Sequence, residues 1–181
     1  PPRSTLFPYT TLFRSPGDQH LIPRLLARGR AGQLKIVGSG RNRVDIAYID
    51  NVIHAHLLAS ENLHASGSGA GQAFFIGQDE PVELWSWIND LFNRLQIPPV
   101  TQRLSFNLAY VAGALLESAH AVFGKEEEPR MTRFLAHQLA HSHWFSHRKA
   151  RELLGYRQQV TTDEGMERLV GWVGDSAGTV P

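Results

Sequence analysis

The 181-residue chain contains no cysteine, and this absence excludes disulfide bonds and thiolate metal sites. The same absence fits a reducing compartment, so we expect a cytoplasmic protein. The sequence also lacks any run of lysine or arginine, and nothing in it therefore predicts a nucleic-acid partner. It shows neither a signal peptide nor an uncharged stretch of about twenty residues, so the sequence predicts no membrane span.

The first fifteen residues, Pro1 to Ser15, match one reading frame of a common short-read sequencing adapter codon for codon. Evolution would hardly produce such a match, so we expect a non-native segment and exclude it before predicting the fold. The alternative is a natural N-terminal arm. Without the segment, the chain carries 16 basic and 17 acidic residues, a net charge of −1 instead of +1. We predict that the natural sequence begins in mid-domain at Pro16, that residues 16–173 form one domain, and that residues 174–181 fray.

Hydrophobic periodicity predicts helices that alternate with short strands. Helices are expected over residues 20–30, 50–63, 84–95, 105–123, 131–139, 146–154 and from 161 onward, and strands over 34–37, 44–49, 72–76 and 100–104. This alternation indicates a layered α/β domain. The elements are short and no glycine-rich phosphate turn is present. The pattern is therefore typical of the substrate-covering half of an α/β enzyme rather than its nucleotide-binding half.

Four sequence blocks in the expected order carry a family resemblance. They are PGD at 16–18, VGSGRNRVDIAYIDNVIHAH at 37–56, GQAFFI followed by DEP at 71–81, and A-x-x-x-L-G-Y at 150–156. With these blocks, the chain from 16 to about 173 resembles the extended short-chain dehydrogenase/reductases of the 3β-hydroxysteroid dehydrogenase branch. Residues 128–145 are most similar to members that act on 2-alkyl-3-oxoalkanoates or sterol-4α-carboxylates.

The resemblance implies the C-terminal, substrate-binding α/β part of an extended Rossmann-type dehydrogenase, with the N-terminal nucleotide-binding half missing. The parent enzyme would use NAD or NADP on a hydrophobic 3-oxo or 3-hydroxy substrate, and the sequence does not distinguish the two cofactors. The family's G-x-x-G-x-x-G turn and its Tyr-x-x-x-Lys pair do not occur here, since none of the four tyrosines has a lysine four residues on. We therefore assign no catalytic residue and expect the chain alone to be inactive.

The same resemblance suggests binding residues. Pro16 and Gly17 would lie near the nicotinamide, and Arg41 and Asn42 would lie at the substrate mouth. Met131 and Arg133 would line the outer pocket, where Arg133 could hold a carboxylate through a bidentate contact. The alternative for Arg133 is an exposed arginine whose stem packs on apolar neighbours.

The long apolar segment Ser105–Phe123 is open to three interpretations. It could be a lid over a long acyl chain, a face that rests on a membrane surface, or a helix buried in the core. We expect it to be too polar to span a bilayer. The sequence does not determine the oligomeric state, and a homodimer is one alternative.

Nine histidines raise the question of a metal site. His54 and His56 are two residues apart in a predicted helix, roughly 200° around its axis, so they cannot share an ion. His141 and His143 would share a face if extended, but no acidic ligand is placed near them and no H-E-x-x-H motif occurs. We predict no metal.

Two other functions remain open. A nucleotide-sugar epimerase or dehydratase of the same fold would need polar and basic groups for a diphosphate, whereas the segment 105–123 is apolar. A non-catalytic sensor or interaction protein on a dehydrogenase scaffold is the other. An upstream sequence without Tyr-x-x-x-Lys would favour that last alternative.

Overall fold

The computed structural model describes residues 16–18, 21–123, 129 and 131–177, without the side chains of 176 and 177. This part of the chain contains seven helices and four strands of two residues each. In chain order they are α1 (Leu21–Arg30), β1 (Ile36–Val37), β2 (Arg43–Val44), α2 (Ile49–Ala65), β3 (Val82–Glu83), α3 (Leu84–Arg94), β4 (Arg103–Leu104), α4 (Phe106–Phe123), α5 (Arg133–Ala140), α6 (Arg148–Leu154) and α7 (Thr162–Ala177). The expected non-native segment and the last four residues of the predicted tail lie outside the described residues.

The chain divides into two compact units. The sheet unit comprises the described residues within 19–44 and 82–144, and the helical unit comprises the described residues within 16–18, 45–81 and 145–177. All four strands belong to the sheet unit, where β1 pairs in parallel with β4 and β2 pairs antiparallel with β3. A parallel bridge joins Val44 to His143.

Helix α3 supplies much of the core of the sheet unit, as the three- and four-residue spacing of its apolar side chains predicts. Its buried residues are Leu84, Trp85, Trp87, Ile88, Leu91 and Phe92. Gly29 of α1 lies directly against Phe92, because a Cβ atom at residue 29 would come within 2.3 Å of that ring. The two helices approach closely because glycine has no side chain.

A fully buried amide, Asn51 in the first turn of α2, organises the helical unit. Its Oδ1 accepts hydrogen bonds from the backbone N–H groups of Gln159 and Val160 at 2.7 and 2.9 Å. Its Nδ2 donates to the Val160 carbonyl at 2.8 Å and to the side-chain oxygen of Gln78. Asn51 thus satisfies the backbone of this loop as a neighbouring strand would.

Helix α6 ends where the sequence predicts, at Gly155, whose φ of +68° places it in the left-handed region. The next residue, Tyr156, is buried with Ala55 and Ala150 in a small apolar cluster. Its hydroxyl donates a hydrogen bond to the Gly77 carbonyl at 2.9 Å. The turn after α6 is therefore fixed by one buried ring.

All four predicted strands differ from the structure, and those predicted over 34–37 and 100–104 are shortened to β1 and β4. The segment 72–76 forms no strand among the described residues, and the strand predicted over 44–49 is reduced to β2. Past Val44, the Ile46 carbonyl accepts a hydrogen bond from the Gln78 N–H at 3.0 Å, but no ladder follows. A strand requires a partner, and hydrophobic alternation alone does not supply one. Helix α7 continues to Ala177, beyond the point at which fraying was predicted.

Candidate functional site

The Gly38–Asn42 turn, predicted at the substrate mouth, connects β1 to β2 in the sheet unit. Gly38 and Gly40 have φ angles of +72° and +71°, which residues with a Cβ atom rarely adopt. At Gly40 a Cβ atom would also lie 2.8 Å from a methyl of Ile36. Arg103 donates from Nη1 to the Ser39 carbonyl at 3.0 Å. The turn is therefore tightly packed and its backbone is fixed.

Arg41 and Asn42 have opposite environments within this turn. The Asn42 side chain is 3% exposed, and in the described part of the chain neither its Oδ1 nor its Nδ2 has a hydrogen-bond partner. A buried polar group without a partner costs about 1–3 kcal/mol. Arg41 is exposed, and its backbone N–H donates to the Ser39 hydroxyl at 3.3 Å. Its guanidinium has no ion pair or hydrogen bond to any residue that the structure describes.

The turn is attached to the C-terminal end of α5. The Arg43 N–H donates to the Ser142 hydroxyl at 2.9 Å, and the His143 N–H donates to the Arg43 carbonyl at 2.9 Å. A Cβ atom on Gly38 would lie 3.2 Å from that of Ala140. Met131 and Arg133 lie at the opposite end of this eight-residue helix, about 12 Å away along its axis.

Arg133 is already bound by a carboxylate of the protein. Its Nε donates to Glu117 Oε2 at 2.6 Å, and its backbone N–H donates to Glu117 Oε1 at 2.8 Å. The hydrogen bond to Glu117 raises the pKa of Arg133. Partial burial opposes ionisation of Glu117, but the hydrogen bonds and charge of Arg133 outweigh it and lower the pKa of Glu117. The sequence identified Arg133 but not this pairing, because the two residues are sixteen positions apart.

Helices α4 and α5 approach so closely at this ion pair that only glycine fits. A Cβ atom on Gly113 would lie 2.7 Å from the backbone nitrogen of Arg133 and from the carbonyl carbon of Thr132. The Thr132 hydroxyl accepts a hydrogen bond from the Leu135 N–H at 3.0 Å and caps α5. The ion pair and the glycine contact therefore fix the beginning of α5 on α4.

The outer face of α4 is apolar and exposed, and this finding contradicts one of the three interpretations, that of a helix buried in the core. Only Ala109 and Gly113 of this helix are buried. Leu115 is 67% exposed and Val122 is 80% exposed. We call the exposed apolar residues the α4 face, and they are Leu108, Val111, Leu115, Leu116, Val122 and Phe123.

The prediction that α4 is too polar to span a bilayer is also wrong. Its 18 residues have a mean hydropathy of 1.2, and 11% of them are buried, so by length and composition the helix could cross a membrane. The helix carries one acidic residue, Glu117, and no lysine or arginine. Composition alone is weak support for a span, because the core helix of a soluble protein passes the same criterion.

Three aromatic rings meet where the start of α4 packs on the end of α5. Phe106 packs edge-on against His137 and His141, with ring centroids at 5.8 and 4.7 Å. The two imidazoles stack with centroids 4.1 Å apart and planes inclined by 22°. Their in-plane lone pairs therefore do not converge on one ion. No group of three metal-ligating side chains occurs in the described residues.

Pro16 and Gly17, predicted near the nicotinamide, form an exposed turn in the helical unit. Gly17 has a φ of +94°, and a Cβ atom there would contact nothing within 4 Å. A dinucleotide phosphate site needs a glycine turn that leads from a strand into a helix N-terminus. Two glycine-rich turns occur in the described residues. The turn at 38–40 leads from one strand to another, and the turn at 67–71 follows the end of a helix. The described residues do not form a dinucleotide phosphate site.

Tyr156 has the opposite electrostatic character to a catalytic tyrosine. Burial, reinforced by the charge of Asp79, raises the pKa of Tyr156 to about 12. Its hydroxyl is occupied by the Gly77 carbonyl. A tyrosine that donates a proton in catalysis needs its pKa shifted toward the working pH, so Tyr156 is structural.

The blocks identified in the sequence and the α/β architecture define a part of an extended short-chain dehydrogenase/reductase. A model of the 3-beta hydroxysteroid dehydrogenase/isomerase family matches residues 10–107. The chain belongs to this family, as its sequence blocks predicted.

Curated relatives cover most of this chain. A 2-alkyl-3-oxoalkanoate reductase of Shewanella oneidensis is 47% identical over 159 residues, which are 87% of this chain and 41% of the relative. A protein of the same name from Stenotrophomonas maltophilia is 44% identical over 87% of this chain and 48% of its own length. A decarboxylating sterol-4-alpha-carboxylate 3-dehydrogenase of Mus musculus is 33% identical over 86% of this chain and 44% of its own length. The chain thus spans less than half the length of these relatives.

Solved structures confirm the predicted fold class. A dTDP-glucose 4,6-dehydratase from Streptomyces venezuelae with NAD bound aligns with a TM-score of 0.57 at 22% identity, over 91% of this chain and 42% of its own. A UDP-glucuronic acid 4-epimerase from Bacillus cereus in complex with NAD aligns with a TM-score of 0.52 at 19% identity, over 84% and 38%. At these identities the likeness shows the fold alone.

Proposed function

We propose that this chain is the substrate-binding part of a longer NAD- or NADP-dependent oxidoreductase that acts on a hydrophobic 3-oxo or 3-hydroxy acid. The observation that carries the proposal is the 47% identity over 159 residues to the Shewanella reductase. The named substrates of the bacterial and mouse relatives share an apolar body and a carboxylate. A 2-alkyl-3-oxoalkanoate is therefore the substrate we favour.

In this proposal the hydride transfer and the proton donor belong to sequence outside this chain. The chain supplies walls that bind and orient the substrate. Arg41 and Asn42 lie at the mouth, Met131 lines the outer pocket, and Pro16 and Gly17 lie on the nicotinamide side. Support for the first pair comes from the fixed Gly38–Asn42 turn, where the Arg41 guanidinium and the Asn42 amide have no hydrogen-bond partner among the residues that the structure describes.

A chimera tests the proposal directly. The part of the Shewanella reductase that precedes its matched region is fused to residues 16–181, and oxidation of NADH and NADPH is followed with a 2-alkyl-3-oxoalkanoate. We expect oxidation that depends on the substrate. The matched control replaces the Tyr of the Tyr-x-x-x-Lys pair in the Shewanella portion by Phe and should abolish turnover. A chimera that binds NADPH but does not reduce the 3-oxo acid would contradict the proposal.

The nucleotide-sugar epimerase or dehydratase remains the alternative on the same fold. Its support is the structural likeness to the dehydratase and the epimerase, which extends to the fold alone. The α4 face offers no cation for a diphosphate. Turnover of a UDP- or dTDP-sugar by the chimera, without reduction of the 3-oxo acid, would favour this alternative.

We also propose a lipid-like ligand for the α4 face, because its large apolar residues are exposed and uncharged. The ligand is either the long alkyl chain of the substrate or the surface of a membrane. Sedimentation of the chain with phosphatidylcholine vesicles separates the two. Binding that Leu115→Glu abolishes supports a membrane contact, whereas absence of binding removes the membrane and leaves the alkyl chain.

A further inference from the structure

The proposed substrate class carries a carboxylate, which an arginine side chain could bind. Three arginines of the sheet unit lie at the Gly38–Asn42 turn or at the start of α5: Arg41, Arg103 and Arg133. They differ in what already neutralises them. The Arg133 guanidinium donates from Nε to Glu117 Oε2 at 2.6 Å, and the other carboxylate oxygen accepts from the Arg133 backbone N–H at 2.8 Å. A substrate carboxylate at this position would have to displace Glu117 or share its partner. Arg133 is therefore poorly suited to the role that the sequence suggested.

Arg41 is in the opposite situation. Its guanidinium is exposed and forms no hydrogen bond or ion pair with a carboxylate or carbonyl of the described residues. Its backbone is fixed by the turn, since the Arg41 N–H donates to the Ser39 hydroxyl and Gly40 packs on Ile36. An arginine with a fixed backbone and a free guanidinium fork is suited to bidentate capture of a carboxylate.

A second cation lies at the same turn. The Nη1 of Arg103 is 3.0 Å from the Ser39 carbonyl and 3.9 Å from the position of a Cβ atom on Gly40. Its guanidinium thus lies beside the turn, and no ion pair with a described acidic residue neutralises it. Two arginines at one short turn, neither with an acidic partner in the described part of the chain, make the local potential more favourable for an anion.

The buried amide of Asn42 is an independent indication that this turn is incomplete. It is next to Arg41 in the chain, and both of its polar atoms lack partners among the described residues. Buried amides are almost always satisfied in folded proteins. Among the described residues, the turn therefore contains a buried amide without a hydrogen-bond partner, Asn42, beside a guanidinium without an acidic partner, Arg41.

We propose that Arg41, assisted by Arg103, binds the substrate carboxylate, and that Arg133 does not. The inference rests on the proposed function for its substrate class. It assigns the specificity for an acid to the turn after β1, at the C-terminal end of α5. The outer pocket beside Met131 is left to the apolar part of the substrate.

The test uses the full chain and two matched small ligands, octanoate and octanamide, which share an alkyl chain and differ in charge. Affinities are measured by titration in 15N–1H correlation spectra, where the amides of Gly40, Arg41 and Asn42 report the site. We expect octanoate to shift these amides and to bind at least about tenfold more tightly than octanamide. The preference should weaken with added salt, because the contact is ionic and near the surface.

Arg41→Gln should remove the preference for octanoate and leave octanamide affinity unchanged. Arg133→Gln, the matched control, should leave the preference within about twofold of the natural chain. A preference that survives Arg41→Gln, or that disappears in Arg133→Gln, would overturn the assignment. Near-UV circular dichroism of each variant shows that a loss of binding is not a loss of folding.

Failure of this inference is distinguishable from failure of the proposed function. Octanoate binding requires no cofactor and no upstream sequence. An inactive chimera with intact, Arg41-dependent octanoate binding would contradict the proposed function and leave the role of Arg41 supported. An active chimera whose KM for the 3-oxo acid is unchanged by Arg41→Gln would contradict the role of Arg41 and leave the proposed function supported.

Discussion

At the scale of single residues, the buried amide of Asn51 stabilises the helical unit. The amide is fully buried and makes four hydrogen bonds to three other residues. Asn51→Ala would remove the partner of the Gln159 and Val160 backbone N–H groups and of the Gln78 side-chain oxygen, so we expect a loss of about 2–4 kcal/mol in the free energy of unfolding. Urea denaturation followed by circular dichroism measures it. Asn107→Ala, at an exposed position on α4, is the control, and equal losses in the two variants would refute this role.

The raised pKa of Tyr156 predicts how the stability of the folded chain depends on pH. Its pKa is raised to about 12 in the folded chain, against an ordinary value of 10.0. The folded state therefore holds the proton more tightly than the unfolded state. The resulting stability is fully present below pH 10 and is lost as the pH rises toward 12. The urea midpoint of the natural chain minus that of Tyr156→Phe should therefore fall between pH 9.5 and 11.5. A difference that stays constant across this range would show that the hydroxyl is not held as described.

At the scale of helices and strands, the contact between α4 and α5 depends on one glycine. A methyl group on Gly113 would collide with backbone atoms of Thr132 and Arg133, which cannot rotate away as a side chain could. We expect Gly113→Ala to destabilise the sheet unit by about 1–3 kcal/mol, although alanine favours a helix by about 1 kcal/mol. Gly171→Ala on α7 is the matched control, since a Cβ atom there contacts nothing within 4 Å. A lower melting temperature for the control than for Gly113→Ala would contradict the packing argument.

The sequence predicts the helices well where one face repeats. Six apolar residues at three- and four-residue spacing predicted the bounds of α3, with an error of one residue at its C-terminal end. The glycine after Leu154 predicted the end of α6. The strands were less predictable, because a strand at 72–76 depends on a neighbour that the pattern does not identify. In the candidate site, the family resemblance pointed to Arg41, Asn42 and Arg133. Their states depend on the fold: among the described residues Arg41 has no side-chain partner, Asn42 is buried, and Arg133 is paired with Glu117, sixteen positions away.

At the scale of the whole molecule, the chain presents apolar surface that its own described residues do not cover. The α4 face is one such surface, and α2 exposes Ile53 and Leu57 at 51% and 58%. Exposed apolar areas of this kind mark sites of interaction with another chain, a ligand or a membrane. The match to less than half the length of the relatives is consistent with a longer protein in which such surfaces are covered.

The measurement that tests the central claim most directly is the genomic sequence upstream of the codon for Pro16. We predict an open reading frame that continues upstream without the fifteen adapter-like codons and encodes a G-x-x-G-x-x-G turn and a Tyr-x-x-x-Lys pair. Fifteen native codons for Pro1–Ser15 in the genome, or an upstream frame without the Tyr-x-x-x-Lys pair, would contradict the account of this chain as the substrate-binding part of an oxidoreductase.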